Sequence, residues 1–157
     1  MEIEKKMAAR GLQFSPEGPG KGVANIVRCV RTGNLLFFSG TGPRQADGTM
    51  PQGKVGKDFT LEQGYEFARL AALNLLSRVK AEINDLDKVT RIVKLFCMIN
   101  CTPEFADQAR VANGASDLLM ELYGDRGRHA RSAVGMNSLP GQMPIEIEMI
   151  VEVKDER

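Results

Sequence analysis

The chain has 157 residues, with 21 lysines and arginines against 20 aspartates and glutamates and a net charge of +1. That length suits one domain with a full core, and the balance of charge does not favour a broadly basic surface for nucleic acid, although a local patch stays open. One histidine (His129) and three cysteines (Cys29, Cys97 and Cys101) without a CxxC pair exclude a His-rich zinc site and a stapled secreted framework.

The first residues mix acidic and basic charge and lead to no apolar run of signal-peptide length. The longest purely apolar run is Leu35-Leu36-Phe37-Phe38, far short of the roughly 20 residues a spanning helix needs. The expectation is a soluble, cytoplasmic protein with no membrane partner.

Residues 1–22 read as a leader, in which Pro16, Gly18, Pro19, Gly20 and Gly22 break regular structure, and residues 23–157 read as a single domain. Two strands follow, over 25–31 and 35–39, joined by the turn residues Thr32-Gly33-Asn34 as a hairpin. Residues 40–57 hold five glycines and two prolines and read as a loop with room for a short strand. Over 61–84, Tyr65, Ala68, Ala72, Leu75, Leu76, Val79 and Ile83 recur at three- and four-residue steps, which predicts a helix. Thr60 and Gln63 are spaced as a capping box at its start. A strand covers 89–100, with Val93, Leu95, Cys97 and Ile99 on one side and Lys94, Phe96 and Met98 on the other. A second helix covers 104–123 and is stopped by Gly124-Asp125-Arg126-Gly127. Strands over 132–136 and 144–154 end the chain, the last alternating strictly between Ile145, Ile147, Met149, Val151, Val153 and Glu146, Glu148, Glu152, Lys154.

Hairpin strands with interposed helices predict an α+β sheet with two helices packed on one face. The other face then needs cover that this length cannot supply. A second copy of the chain is the economical answer, so oligomerisation is expected.

The densest chemistry is Arg126-Gly127-Arg128-His129-Ala130-Arg131-Ser132. Arginine offers a planar fork to carboxylate or phosphate, so an anion clamp can form at the mouth of a strand; a solvated basic turn is the plainer reading. His129 as a catalytic base needs a partner, and a triad drawn from Ser132, His129 and Asp125 has no geometric support within so short a span. Glu146 and Glu148 share a face, which ordinarily means solvent, unless that face lines an interface where a glutamate could hold water or move a proton. Ser39-Gly40-Thr41-Gly42 reads as a plain turn, and Gly18-Pro19-Gly20-Lys21-Gly22 lacks the hydroxyl residue and preceding strand of a phosphate loop. Cys97 and Cys101 read as core thiols.

Three strings taken together resemble one family. They are Arg31-Thr32-Gly33-Asn34-Leu35-Leu36-Phe37-Phe38-Ser39-Gly40, His129-Ala130-Arg131-Ser132-Ala133-Val134, and Leu139-Pro140 followed by Ile145-Glu146-Ile147-Glu148. They resemble the reactive-intermediate deaminase family, also called Rid or YjgF, over residues 23–153. The resemblance implies a chorismate-mutase-like (YjgF-like) α+β fold assembled as a homotrimer with sites between subunits. It also implies hydrolysis of 2-aminoacrylate and related 2-imino acids to 2-keto acids and ammonia, with no cofactor and no metal. By the same resemblance Arg131 would grip the substrate carboxylate and Glu146 would hold the attacking water. Ser39, Asn113, Ala133 and Ile26 would line the substrate. Ile26 stands where the family commonly has tyrosine, Ala133 where it has cysteine and Thr41 where it has glutamine, and the 40–59 loop is longer, so a divergent subgroup is implied. A non-catalytic module binding small carboxylates is the alternative. An RNA-cleaving activity, ascribed to some relatives, would rest on Arg126, Arg128 and Arg131 alone and is not favoured.

Overall fold

The computed structural model describes residues 1–14 and 25–154. The Pro/Gly-rich stretch of the leader therefore lies outside the described residues. Within them are three α-helices and one five-stranded sheet: α1 (Glu2–Ala9), β1 (Cys29–Thr32), β2 (Leu35–Thr41), α2 (Leu61–Ile83), β3 (Val89–Asn100), α3 (Gln108–Tyr123), β4 (Ala130–Met136) and β5 (Ile145–Val153).

Helix α1 occupies a segment to which the sequence reading gave no element. It buries Ile3 and Met7, one turn apart, and Glu4 pairs with Lys80 of α2 at 2.7 Å. Two apolar positions are too few to establish a period, which is why the pattern was silent. The β1–β2 hairpin turns at Gly33, whose φ of 56° is the left-handed conformation the turn needs. Strand β1 is shorter than expected and begins only at Cys29.

Helix α2 starts at the predicted capping box: Gln63 N donates to Thr60 Oγ1 at 3.1 Å and Thr60 N donates to Gln63 Oε1 at 2.9 Å. Such a cap stabilises a helix by about 1 kcal/mol. Its buried stripe runs through Ala68, Ala72, Leu75, Leu76, Val79 and Ile83. Tyr65, expected in the stripe, lies at its border and donates its hydroxyl to Asp117 at 2.8 Å. Helix α3 begins at Gln108, because Phe105 N closes a turn onto Thr102 O at 3.1 Å and Asp107 becomes the N-cap.

The sheet order is β1-β2-β5-β3-β4, antiparallel throughout except for the parallel pair β3–β4, which leaves β4 as an edge. Leu36, Phe38, Leu95, Cys97, Ile99, Ile145, Ile147, Met149 and Val151 point to the helices and are buried with them in one core. On β3 the alternation slips. A register shift between Ile92 and Lys94 carries Ile92 into the core and leaves Val93, expected to lie with Leu95, only half-buried.

Helices α2 and α3 cross in close backbone contact at Gly114. A Cβ there would stand 1.9 Å from the Tyr65 carbonyl oxygen. Among the described residues no helix covers the opposite sheet face: Val30 is 53% and Phe37 39% exposed, with Phe96, Met98 and Ile150 half-buried beside them. Among the described residues no helix is long and apolar enough to cross a membrane.

The long 40–59 loop is tied down at several points. Asn74, fully buried on α2, donates to Gly42 O at 3.1 Å and Arg44 O at 3.0 Å. Lys54 Nζ donates to Asn100 Oδ1 at 2.7 Å and to the Asn137 carbonyl. Val55 makes single β-bridges to Phe59 and Cys101, the short extended piece for which the sequence left room.

Candidate active site

The arginine-rich segment does not act as one patch. Arg126 turns inward, donating to Val89 O at 2.8 Å with its guanidinium 5.6 Å from the centre of the Tyr123 ring. Arg128 is exposed and pairs with Asp125 at 3.2 Å. Arg131 takes a third course. It sits on edge strand β4 opposite Leu95 and so projects to the helix side of the sheet. There it meets α3 between Ala109 and Ser116. Nη1 donates to Asn113 Oδ1 and Ser116 Oγ, each at 3.0 Å, and Nη2 donates to Ala109 O at 3.3 Å.

Every one of these acceptors is neutral. Arg131 has no carboxylate partner among the described residues, and its Nε–H and one Nη2–H are unused. The Nε–H edge of a guanidinium is a side that fits a carboxylate. The Gly114 crossing fixes α3 against α2 and thereby sets the position of Asn113 over β4.

Ala133 follows on the same face of β4 opposite Cys97, half-buried, and supplies a methyl group and its backbone. Cys97 is buried beneath, and burial pushes its thiol up to about 12, so it is a packing residue. His129 is partly buried beside Arg131. Burial lowers its pKa below the ordinary value; the Gly127 carbonyl opposes that shift and the Arg131 charge adds to it. The ring bonds to Ser116 and Gly127, which removes any triad with Asp125 and Ser132.

Glu146 lies elsewhere. It is on β5 opposite Met98, on the face without helices. It is half-buried, its carboxylate has no hydrogen-bond or ion-pair partner among the described residues, and its proton affinity is raised, first by burial and then by the Glu148 charge. It lies across Gly40 of β2, where a register shift between Phe38 and Thr41 bulges the strand. The Ser39–Thr41 piece, expected to be a plain turn, is thus the bulged end of a strand. The Ser39 hydroxyl donates to Val27 O at 2.7 Å, tying the segment before β1 to the hairpin. Ile26 in that segment is 65% exposed. Beside Ser39 the open face carries a shallow hollow of about 270 Å³ lined by Val30, Phe37, Lys94, Phe96 and Glu148.

The expected site residues thus form two groups on opposite faces of one sheet. Arg131, Asn113 and Ala133 are gathered between β4 and α3; Glu146 and Ser39 belong to the open side, and Ile26 is exposed in the segment before β1. Gly40 and Ser116 were missed as functional positions, since each matters through a contact across the fold that no local spacing records.

This is an α+β sheet with helices on one face, an apolar opposite face and separated, uncompensated charges at its edge and on its open side. The sequence matches, over residues 4–153, the family described as "YjgF/chorismate mutase-like, putative endoribonuclease", and the chain belongs to that family. Protein TCP17 of Trypanosoma cruzi is 40% identical over 132 residues, covering 83% of this chain and 82% of that one. Among solved structures, Atu1372 of Agrobacterium tumefaciens, a protein of unknown function, superposes with a TM-score of 0.88 at 39% identity, covering 98% of this chain and 94% of its own. A protein of Shewanella oneidensis MR-1 reaches a TM-score of 0.91 at 28% identity, covering 98% and 100%.

Proposed function

We propose that the protein hydrolyses small imine or enamine carboxylates to 2-keto acids and ammonia, in a site completed between two copies of the chain. The observation that carries this reading is the pair of unpartnered opposite charges: Arg131, held only by neutral acceptors, and Glu146, a half-buried carboxylate with raised proton affinity. Because they lie on opposite faces of the sheet, neither completes the other within one chain. A copy that rests its β4 edge on the open face of the next would bring Arg131 to Glu146. Such a contact joins two different surfaces, and repeated around an axis it closes a ring; the homotrimer expected for the family is one such ring.

In that cleft Arg131 holds the substrate carboxylate through its free side-on fork. Glu146 accepts a proton from water as the water oxygen bonds to the imine carbon, and the nitrogen takes up a proton. The tetrahedral adduct then collapses: the hydroxyl proton passes to the amino nitrogen as the C=O bond forms and the C–N bond breaks, and the nitrogen leaves as ammonia. An enamine enters the same path after proton transfer to carbon gives the imine. The imine carbon is already electrophilic, so orientation and water delivery are the protein's main tasks.

The test generates imino acids in situ with an amino-acid oxidase and follows ammonia release. Wild type should outrun spontaneous hydrolysis, and Arg131→Ala and Glu146→Gln should not; equal rates for all three across several imino acids would sink the reading. A second reading is a non-catalytic module holding a small carboxylate at Arg131. Ile26 and Ala133 favour it, since they bring no hydroxyl, thiol or phenol to the cleft. Calorimetric binding of 2-keto acids together with a flat deaminase assay would select it.

A further inference from the structure

Arg131 is held by an acceptor that is itself oriented. His129 Nδ1 lies 2.6 Å from the Gly127 carbonyl oxygen. A carbonyl can only accept, so Nδ1 carries the ring proton. In the neutral imidazole Nε2 is then an acceptor, and it lies 2.9 Å from Ser116 Oγ. The Ser116 hydroxyl therefore donates to Nε2 and turns a lone pair toward Arg131 Nη1, 3.0 Å away. The sense of each bond is fixed along the whole chain: Arg131 donates to Ser116, Ser116 to His129, and His129 to Gly127.

We propose that Ser116 and His129 are positioning residues for Arg131, locking its guanidinium so that the Nε–H and the free Nη2–H stay presented to a substrate carboxylate. This rests on the reading of Arg131 as a carboxylate clamp. The physical gain is in orientation. An arginine side chain carries several rotatable bonds, and ordering it before the ligand arrives removes that cost from binding. Asn113 and Ala109 hold the guanidinium from α3, but only Ser116 is anchored in turn to the turn that leads into β4. The pair thus couples helix and strand at the clamp.

A second consequence follows from the charges. Arg131 is the charged group acting on the His129 ring; from α3 the ring meets the neutral Ser116, from the preceding turn the Gly127 carbonyl, and the nearby Arg128 and Asp125 pair with each other. A carboxylate bound to Arg131 offsets the charge that disfavours the imidazolium, so it raises the His129 midpoint. By linkage, protonation of His129 then tightens the carboxylate by the same factor.

The experiment uses nitrogen NMR of the intact protein with pyruvate as probe. His129 is the single histidine, so its ring signals need no assignment. Expected are the Nδ1–H tautomer, a midpoint raised by Arg131→Gln and by pyruvate, and Arg131 Nη1 and Nη2 signals kept separate by hindered rotation about the Nε–Cζ bond before any ligand is added. Ser116→Ala should merge those signals by freeing the rotation and weaken pyruvate about five- to tenfold, the typical net worth of one hydrogen bond. Ser116→Thr restores both, and His129→Gln, whose amide oxygen can still accept from Ser116, keeps Arg131 ordered while abolishing the pH dependence of binding. An Nε2–H tautomer, or hindered Arg131 rotation and wild-type affinity in Ser116→Ala, overturns the proposal. If pyruvate binds no form, wild type included, while Arg131 order still depends on Ser116, the clamp reading falls and the positioning pair stands.

Discussion

Glu146 rests on the backbone of Gly40: a Cβ built on that glycine would stand 2.2 Å from Glu146 Oε1 and 2.7 Å from its carboxyl carbon. The β2 bulge therefore presents a surface without a side chain, and the carboxylate of β5 fills the space.

Gly40→Ala should displace Glu146 without unfolding the chain, because a flexible side chain can swing aside where backbone cannot. Under the proposed mechanism kcat falls by about 100-fold, a typical contribution of a general base. KM stays near its wild-type value, since Arg131 is untouched. Steady-state ammonia release and a thermal melt read both; an unchanged kcat would separate Glu146 from the chemistry.

The proton affinity of Glu146 sets a second expectation. Burial and then Glu148 raise its pKa above the ordinary 4.5. A base must be ionised, so activity is lost as pH falls through the raised value, and the acid limb lies above the usual carboxylate range. Glu148→Gln removes the smaller cause. The limb then moves to lower pH but stays above 4.5, because burial persists. A pH–rate profile of the two proteins checks the direction of the move.

Gly114→Ala addresses stability. Its Cβ would meet the Tyr65 carbonyl at 1.9 Å and Arg69 N at 3.1 Å, both backbone atoms of α2, so the helices must part. The expected loss is about 1–3 kcal/mol, the range for overpacking in a well-filled interior. Denaturant titration measures it, and carboxylate affinity should fall with it as α3 carries Asn113 away from Arg131.

What could be read from the sequence was what short-range physics dictates. Strand β3 has the bounds its apolar pattern gave, and the Thr60–Gln63 box begins α2 where the spacing put it. The exposed apolar face with Val30 and Phe37 follows from counting layers. What could not be read depends on tertiary contact. Ile92 displaces Val93 from the core through a bulge, and Ile3 and Met7 find the core with no periodicity to announce them. Ser116 and His129 meet across 13 residues of chain that no motif spans. For the candidate site the resemblance supplied names of residues, while the division of Arg131 and Glu146 between opposite faces appears only in the folded chain.

That division leads to a mixing experiment. If each site takes Arg131 from one copy and Glu146 from its neighbour, Arg131→Ala and Glu146→Gln proteins are each inactive for a different reason. In a mixed ring some interfaces pair the intact Arg131 of one variant with the intact Glu146 of the other. Co-expressed or refolded together, the two inactive proteins should therefore regain part of the wild-type rate. For random mixing in equal amounts about one interface in four has both residues intact, as combinatorial assembly around a closed ring requires. Phe37→Glu should abolish this recovery by placing charge on the apolar face while leaving a folded monomer, seen by light scattering and circular dichroism. Recovery in the monomer, or none in the mixed assembly of otherwise folded rings, would place both residues' work within one chain or outside a shared cleft.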